Sequence, residues 1–383
     1  MNTLFEPVKL GTLTLRNRFV RSATWEAMAT PAGEVTPKLV DTIGALARGG
    51  VGLIISSHAY VSPEGQAGPG QIGVHADAML PGLKRMAAAA HEHGAKIVLQ
   101  LAHAGYLAIE SLTGRKPLAV SAAVRLDEAE REELDEAGIR RIVQAYADAA
   151  ARAMEAGYDG VQIHAAHGYC FSQFLSPLFN RRTDGYGGPI ANRTRVIVET
   201  LEAVRRVVGA GTPILAKVNG RDCADGGLEP ADAVEAAALM EGAGLDAIEI
   251  SSGMSKFAKS GSARLAITSA EKEAYNREDG ALFKRRLKIP VLLVGGLRSL
   301  EVAERLVAEG VCDFISMSRP FIREPDLVNR WLSGDRRKAA CTSDNLCYGP
   351  ARSGEGIYCV TALKREKTGA KIEGEKTGAK IEG

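Results

Sequence analysis

The sequence has few aromatic residues and no excess of one charge. Phe, Trp and Tyr make up 5% of its 383 residues, and 48 basic side chains stand against 46 acidic ones, for a formal net charge of +2. Proteins that bind nucleic acid carry a basic surface, and those that stack on bases expose aromatic rings. The composition therefore argues against nucleic acid and against an anionic membrane as partners.

Long hydrophobic runs are also lacking. The amino-terminal stretch MNTLFEPVKLGTLTLRNRF has no apolar core of the kind found in secretion signals. No uncharged apolar run reaches the roughly 20 residues that a membrane-spanning helix needs. We therefore expect a cytoplasmic protein that does not enter a membrane, with its six cysteines as thiols.

Closely spaced cysteine pairs are missing too. Cys341, Cys347 and Cys359 lie in CTSDNLCYGPARSGEGIYC, and Asp344 stands where a second thiol of a CxxC pair would be. Zinc and iron–sulfur sites use such pairs. The spacing favours structural thiols or a disulfide over a cluster, and no metal is predicted.

What the chain does contain is a regular alternation of apolar runs and helical patterns. The runs are near-continuous, as in strands buried on both faces, and strands that alternate with helices indicate a parallel sheet. The predicted strands are Arg16–Ala23, Val51–Ser57, Ala95–Ala102, Tyr158–His164, Pro213–Asn219, Asp246–Ser252, Pro290–Gly296 and Cys312–Ser318. The predicted helices are Pro37–Arg48, Ala78–His93, Gly138–Ala156, Ala191–Val208, Pro230–Glu241, Ser269–Arg286 and Ser299–Glu309.

Eight such units predict an α/β fold, a (β/α)8 TIM barrel forming a single domain. We place the barrel at residues 1–340 and a cysteine-containing extension packed on it at 341–365. Residues 366–383 repeat EKTGAKIEG twice and are expected to be disordered, since they offer little to bury.

In a barrel the functional groups follow the carboxyl ends of the strands. The side chains at these positions are polar and cationic and include no carboxylate pair, which argues against two-acid glycoside hydrolysis. Gly295 and Gly296 after the seventh strand expose backbone N–H groups, and Arg319 after the eighth supplies a planar cationic fork. Together these two loops predict a phosphate site, although a tight turn and a surface arginine would leave the same pattern.

The stretch HAAHGY follows the fourth strand and contains His164, His167 and Tyr169. Two histidines could chelate a metal, but no third ligand lies nearby and HExxH is absent. We interpret the three side chains as a catalytic group rather than as core packing. Lys217 lies inside a buried strand, so it should face an anionic partner unless it reaches the rim, and Gln100 suits a flat heterocycle.

The chain resembles the Old Yellow Enzyme family of FMN-dependent oxidoreductases. The resemblance rests on LFEPVKLGTLTLRNRFVRSA, QLAHAG, HAAHGYCFSQFLSPLFNRRTDGYGG with NRTR, and the VGGL and SRP pair. It implies an NAD(P)H-dependent ene-reductase that reduces activated C=C bonds of α,β-unsaturated carbonyl compounds, with FMN as cofactor and NADH or NADPH as hydride donor. The implied FMN-binding residues are Ala23, Thr24, His58, Gln100, Lys217, Gly295, Gly296, Ser318 and Arg319.

The resemblance also assigns roles around the substrate. His164 and His167 would hold its carbonyl oxygen, Tyr169 would deliver the proton, and Trp25 would line the site. Trp25 stands where some relatives have a cysteine, so the pocket and the flavin potential should differ here. The resemblance further implies a homo-oligomer. A dienoyl-CoA reductase-like or demethylase-like oxidoreductase, and a phosphate-binding or FMN-binding barrel without catalysis, are the alternatives.

Overall fold

Eight parallel strands close into a barrel in a computed structural model that describes residues 3–254 and 257–365. Each strand pairs with the next along the chain, and the eighth pairs with the first. The predicted (β/α)8 barrel is thereby confirmed. The strands are β1 Phe19–Arg21, β2 Leu53–Tyr60, β3 Lys96–Ala102, β4 Gly160–Ala165, β5 Ile214–Asn219, β6 Ala247–Ser251, β7 Val291–Val294 and β8 Phe314–Met317.

Longer helices surround the barrel, and shorter ones lie in its loops. The outer helices are α1 Pro37–Arg48, α2 Leu80–His91, α3 Glu136–Glu155, α4 Ile190–Val208, α5 Pro230–Gly242, α6 Arg277–Arg286 and α7 Leu300–Ala308. The shorter helices are Glu110–Thr113, Cys170–Leu175, Arg319–Arg323, Leu327–Leu332 and Tyr348–Arg352, with single 3-10 turns at Pro63–Gly65, Asp77–Met79, Gly105–Leu107 and Ala270–Lys272. None of the helices in the described residues is long and apolar enough to cross a membrane.

Helix α3 shows how the sequence sets these boundaries. Its cap residue Asp135 accepts a hydrogen bond from the backbone N–H of Gly138 at 2.6 Å, which satisfies one of the free donors of the first turn. Ile139, Ile142 and Tyr146 recur at helical spacing and are buried against the barrel. The chain leaves the helix at Gly157, whose φ of +84° is the left-handed conformation that glycine adopts most readily.

The interior of the barrel is apolar at the amino-terminal end of the strands. A hairpin of two short strands, Val8–Leu10 and Leu13–Leu15, closes that end and buries Leu10 and Leu15. These two leucines join one buried cluster with Val20, Leu53, Ile55, Val98, Leu215, Ala247, Leu292 and Phe314 from the strands. The opposite, carboxyl end of the barrel is therefore the open one.

Most predicted boundaries differ from the structure by one to three residues, and two elements illustrate the differences. The first strand covers only Phe19–Arg21, and the helix predicted at Ser269–Arg286 begins at Arg277. The prediction for the first half of that helix is wrong because its polar groups bond to the barrel instead. The N–H of Tyr275 donates to the carbonyl of Gly295, and the Asn276 amide donates to the carbonyl of Val294.

The segment that follows the barrel strands lies against the mouth of the barrel. The Ile357 N–H donates to the Glu26 carbonyl at 2.8 Å, and the Lys38 ammonium donates to the Glu355 carbonyl at 2.7 Å. Packing of residues 341–365 on the barrel is therefore visible, whereas the domain boundaries themselves stay a prediction. The predicted disordered tail, residues 366–383, lies outside the described residues.

The three cysteines of this segment are free thiols. The Asp344 carboxylate accepts hydrogen bonds from the hydroxyls of Thr342 and Thr361 and from the backbone N–H of Leu346. Within residues 3–254 and 257–365, no three His, Cys, Asp or Glu side chains are placed to share a metal ion. Of the two predicted alternatives, the structure therefore shows thiols rather than a disulfide.

Truncating the buried ring of Phe314 tests the apolar layer of the barrel. Phe314 is fully buried, so Phe314→Ala should lower the free energy of unfolding by about 3–5 kcal/mol through lost burial and a residual cavity. Urea unfolding followed by circular dichroism measures this. Leu332→Ala, at a side chain that is 62% exposed, is the control and should change stability by less than about 0.5 kcal/mol. If both variants lowered the free energy of unfolding equally, Phe314 would not contribute to a buried apolar layer.

Candidate active site

A pocket of about 340 Å³ opens at the carboxyl end of the strands. It unites side chains that are far apart in the sequence and includes all four residues predicted to bind or act on a substrate. Its walls are formed by Ala23, Thr24, Trp25, His58, Gln100, His164, His167, Tyr169, Lys217, Gly261, Ser262, Ala263, Asn345, Tyr348 and Arg352.

Three aromatic side chains at the end of β4 form one wall of the pocket. The ring centroid of His164 lies 5.3 Å from that of His167 and 4.9 Å from that of Tyr169. His167 has a φ of +64°, which is uncommon for a residue with a side chain, and its N–H donates to the Asn219 side chain at 3.2 Å. This turn at the strand end gathers the three rings at the pocket.

The ring nitrogens of the two histidines differ in their hydrogen-bond partners. His164 is 3% exposed, and its Nδ1 has no hydrogen-bond partner among the described residues. His167 Nε2 lies 2.8 Å from the Ser251 hydroxyl. When that hydroxyl donates to Nε2, the proton of the neutral His167 ring resides on Nδ1 and is available as a donor.

The surroundings of these rings suppress ionisation. Burial lowers the pKa of His164 and His167 well below the ordinary value. The neighbouring imidazoles lower the pKa of His164 further, and the Lys217 cation lowers the pKa of both groups. Burial, assisted by Lys217, also lowers the pKa of His58 to about 4. Burial raises the pKa of Tyr169 to about 12. At neutral pH the site therefore presents neutral imidazoles and a protonated phenol.

Gln100 and His58 lie on neighbouring strands beneath these rings. The Gln100 amide donates from Nε2 to the Gln162 carbonyl oxygen at 2.7 Å. The His58 ring stacks on Tyr169 with a centroid distance of 5.4 Å and an interplanar angle of 28°. Both side chains line the pocket, and a β-bulge between Ile55 and His58 shifts the register of β2 at this point.

The residues after β1 form another wall of the pocket. The Thr24 hydroxyl lies 2.7 Å from that of Ser318 and bonds to the Arg21 guanidinium, which also forms a buried ion pair with Glu26 at 3.2 Å. The Trp25 indole nitrogen is buried without a hydrogen-bond partner among the described residues. Thr24 is thus fixed by its neighbours, whereas Trp25 keeps an unused donor.

A narrower cleft of about 80 Å³ continues from the pocket between the ends of β7 and β8. Gly296, Ser318 and Arg319 line it, and Gly295 precedes Gly296 in the same turn. Gly296 has a φ of +71°, and a Cβ there would lie 2.9 Å from the Tyr275 ring, so a larger residue would not fit. The Arg319 guanidinium is 7% exposed and donates to the Arg264 carbonyl and to Asn345 Oδ1.

Several wall residues were not predicted from the sequence. Ser262, Ala263 and Tyr275 come from the loop after β6, and Asn345, Tyr348 and Arg352 come from the segment after the barrel. Neither segment has a strand-end pattern that would have marked these residues. A single cue was present in the CYGPAR stretch, where an aromatic residue and a cation flank a turn, but that pattern is common on protein surfaces.

The donors of the pocket and cleft fit FMN. An arginine fork beside glycine backbone suits a phosphate, and the buried Lys217 cation suits an electron-rich ring. His164 Nδ1 and Trp25 Nε1 have no hydrogen-bond partner among the described protein atoms, and both side chains line the pocket. The pocket and the cleft share six wall residues, so one elongated molecule could occupy both. They are Ala23, His167, Lys217, Ser262, Ala263 and Tyr348.

Comparison with known proteins gives consistent matches. Residues 3–337 match the NADH:flavin oxidoreductase / NADH oxidase family. A metal reductase of Desulforamulus reducens is 37% identical over 341 residues, which cover 87% of this chain and 49% of that protein. The chain therefore spans about half the length of this curated relative.

Two solved structures are similar in fold and sequence. The complex of 2-naphthoyl-CoA reductase with 2-naphthoyl-CoA has a TM-score of 0.86 and 27% identity, over 93% of this chain and 56% of that one. An old yellow enzyme homologue from Zymomonas mobilis has a TM-score of 0.76 and 26% identity, over 89% of this chain and 96% of that one.

The depressed pKa of His58 predicts a pH dependence of stability. An imidazole in the unfolded chain titrates near pH 6.5, whereas His58 in the folded chain titrates at about pH 4. Between these values the unfolded chain takes up a proton that the folded chain does not. Stability must therefore fall as the pH is lowered, by about 2 kcal/mol from pH 7 to pH 5 for this one group.

His58→Asn should remove that part of the decrease, so the variant loses about 2 kcal/mol less than the wild type between pH 7 and pH 5. Urea unfolding of flavin-free protein at both pH values measures the difference. Leu332→Ala, which changes an exposed side chain that does not titrate, should keep the wild-type pH dependence. If the free energy of unfolding falls equally in His58→Asn and in the wild type between pH 7 and pH 5, the prediction is wrong. His58 would then take up its proton in the folded protein as readily as in the unfolded chain.

Proposed function

This chain belongs to the NADH:flavin oxidoreductase / NADH oxidase family, and we propose that it is an FMN-dependent enzyme that uses NAD(P)H to reduce the activated C=C bond of α,β-unsaturated carbonyl compounds. The resemblance to the Old Yellow Enzyme family is confirmed by the family match and by the similar solved structure. The observation that carries the proposal is the convergence of His164, His167 and Tyr169 on one pocket wall.

FMN supplies two-electron hydride chemistry with NAD(P)H as the electron donor. Arg319, Ser318 and the Gly295–Gly296 backbone would hold its phosphate. Lys217, Gln100 and the residues Ala23, Thr24 and His58 would surround its ring system. These side chains occupy the cleft and the pocket, except that Gly295 adjoins the cleft, and their contact with FMN is our proposal.

The two histidines would bind the carbonyl oxygen of the substrate. Because both rings are neutral at pH 7, each has one N–H to donate and neither adds a full charge to the pocket. As the alkene is reduced, negative charge develops on that oxygen. Two donors fixed before the reaction stabilise this charge without reorganisation, as in an oxyanion hole.

Tyr169 would supply the proton. Its pKa of about 12 keeps the phenol protonated at neutral pH, so a proton is available for the α-carbon of the substrate. Its ring lies beside the ring of His164, which places the proton donor next to the group that holds the oxygen. Acid and oxyanion donors therefore act on the α-carbon and the carbonyl oxygen, which are both bonded to the carbonyl carbon of one conjugated system.

The alternative functions have less support from the site and from the comparisons. Similarity to 2-naphthoyl-CoA reductase favours a thioester substrate as a second candidate, since a thioester also has a carbonyl oxygen for the two histidines. A flavin-binding barrel without catalysis would need neither Tyr169 nor His164. A homo-oligomer and a cytoplasmic location stay predictions from the sequence.

The visible spectrum of the purified protein tests the cofactor, and stopped-flow mixing tests the reaction. Yellow absorbance that is lost on addition of NADH or NADPH supports an FMN oxidoreductase. Anaerobic mixing of the reduced protein with 2-cyclohexenone should restore the absorbance. Failure of cyclohexenone to reoxidise the flavin, with reoxidation by oxygen intact, would contradict alkene reduction.

Tyr169→Phe separates proton delivery from the other steps. The variant should reduce alkenes about 10²–10⁴-fold more slowly, since it lacks the general acid, while flavin reduction by NAD(P)H changes only a few-fold. Stopped-flow measurement of the two half-reactions gives both rates. Equal loss in both half-reactions would contradict the acid role.

In the wild type the rate of the alkene step should be independent of pH between about 6 and 9, because the Tyr169 pKa is about 12.

Arg352 at the pocket rim predicts a preference for anionic substrates. Its side chain is exposed and forms no hydrogen bond or ion pair with another described residue, although it lines the pocket. Arg352→Gln should raise KM about 5–10-fold for an enone carboxylate, but leave KM for neutral 2-cyclohexenone unchanged. Lys338→Gln, an exposed cation outside the pocket, is the control. An equal change for both substrates would rule out this role.

A further inference from the structure

Glu249 is a carboxylate at the centre of the barrel that the proposed reaction does not use. It lies on β6, is fully buried, and is absent from the walls of the pocket and the cleft. Its Oε1 accepts hydrogen bonds from the hydroxyls of Ser22 at 2.7 Å and Ser316 at 2.6 Å. Its Oε2 accepts from the Gln162 amide at 3.1 Å and lies 3.4 Å from the Lys217 ammonium.

Two hydrogen-bonded paths lead from Glu249 to the pocket. Lys217 Nζ donates to the Ser22 hydroxyl at 2.8 Å, and that hydroxyl donates to Glu249. Gln100 Nε2 donates to the Gln162 carbonyl oxygen at 2.7 Å, and the Gln162 Nε2 donates to Glu249. Both paths end on side chains that line the pocket, so Glu249 contacts it only through other residues.

An ionised carboxylate can only accept hydrogen bonds, and this sets the direction of both paths. The Gln162 amide must turn its NH2 group toward Glu249 and therefore its carbonyl oxygen toward Gln100. Gln100 must then donate to Gln162 from its own NH2 group. The carbonyl oxygen and the second N–H of Gln100 remain for a molecule in the pocket.

The partners of Glu249 favour its ionised form, because three hydrogen-bond donors and one cation face the carboxylate oxygens. Burial raises the pKa of Glu249, but the Lys217 cation and the donors Ser316, Ser22 and Gln162 outweigh burial and leave the pKa below its ordinary value. A buried carboxylate costs several kcal/mol in desolvation that a hydrophobic residue would avoid. The barrel layer immediately below is wholly apolar, so packing alone does not require a charge here.

We propose that Glu249 is a positioning residue that fixes the orientation of Lys217 and Gln100 toward FMN and offsets the Lys217 charge, so that the bound flavin stays a strong reductant. This inference rests on the proposed function, because it concerns how FMN is held. Removal of the negative charge should leave the Lys217 cation less compensated. Reduced FMN, which carries more negative charge than oxidised FMN, would then be bound more tightly relative to it.

Glu249→Gln tests the charge, because it keeps the shape and removes the negative charge. Reduced FMN should gain about tenfold in affinity relative to oxidised FMN, which for a two-electron couple raises the midpoint potential by about 30 mV. Anaerobic titration of the FMN-loaded protein against reference dyes measures this potential. The separate variant Glu249→Asp keeps the charge, so its midpoint potential should stay close to that of the wild type.

Asp222→Asn is the matched control, since Asp222 is another buried carboxylate that bonds to the Leu228 N–H and the Asn219 amide. It should lower stability without moving the flavin potential. If Glu249→Gln moves the potential no more than this control, or lowers it, the inference is overturned. A structural role alone would affect both variants through stability and neither through potential.

Gln162→Met tests the orientation separately and serves if Glu249→Gln does not fold. It interrupts the path to Gln100 but keeps the Glu249 charge, so FMN should bind about tenfold more weakly with little change in potential. Fluorescence titration of flavin-free protein with FMN measures the affinity, and an unchanged affinity would overturn this part. A wild type that binds no FMN would overturn the proposed function and this inference together, whereas a yellow wild type confines any failure to Glu249.

Discussion

The closed parallel barrel imposes one constraint from which the arrangement of the site follows. Alternate residues of each strand face the barrel axis, and all eight strands end at the same rim. On β5, Leu215 therefore lies in the apolar layer, and Lys217, two residues on, lies at the pocket floor. On β6, Ala247 likewise lies in the apolar layer, and Glu249, two residues on, lies in the polar layer above it. A polar layer directly beneath the pocket thus arises from the strand repeat itself.

This polar layer determines the electrostatics of the pocket. Lys217 is 3% exposed, so its charge is screened little by water and lowers the pKa of the histidines above it. Glu249 offsets that charge from below without contacting the pocket. The site therefore combines neutral donors on its wall with a cation at its floor. Such a combination stabilises negative charge that appears during a reaction more than it favours an anion in the resting state.

The sequence predicts the barrel and most of its inner wall because both depend on local patterns. Apolar runs mark strands, and His164, His167 and Lys217 stand at strand ends or inside a strand, where polar residues are conspicuous. Glu249 was missed, although it also lies inside a strand, because its partners Ser22 and Ser316 are 227 and 67 residues away in the sequence. The helix predicted at Ser269–Arg286 is wrong in its first half for the same reason. Tyr275 and Asn276 form hydrogen bonds with the end of β7, which local sequence patterns do not indicate.

The outer wall of the pocket is built differently from the inner wall. Ser262 and Ala263 come from a loop, and Asn345 and Arg352 come from the segment after the barrel, so none of them is fixed by the strand repeat. Loops accept substitutions and insertions more readily than barrel strands do. Changes in these segments can therefore alter which substrates fit without disturbing His164, Tyr169 or the charge pair below. Proteins with the same barrel and the same reacting groups can then act on quite different molecules, and the choice of substrate depends on the residues that sequence patterns indicate least.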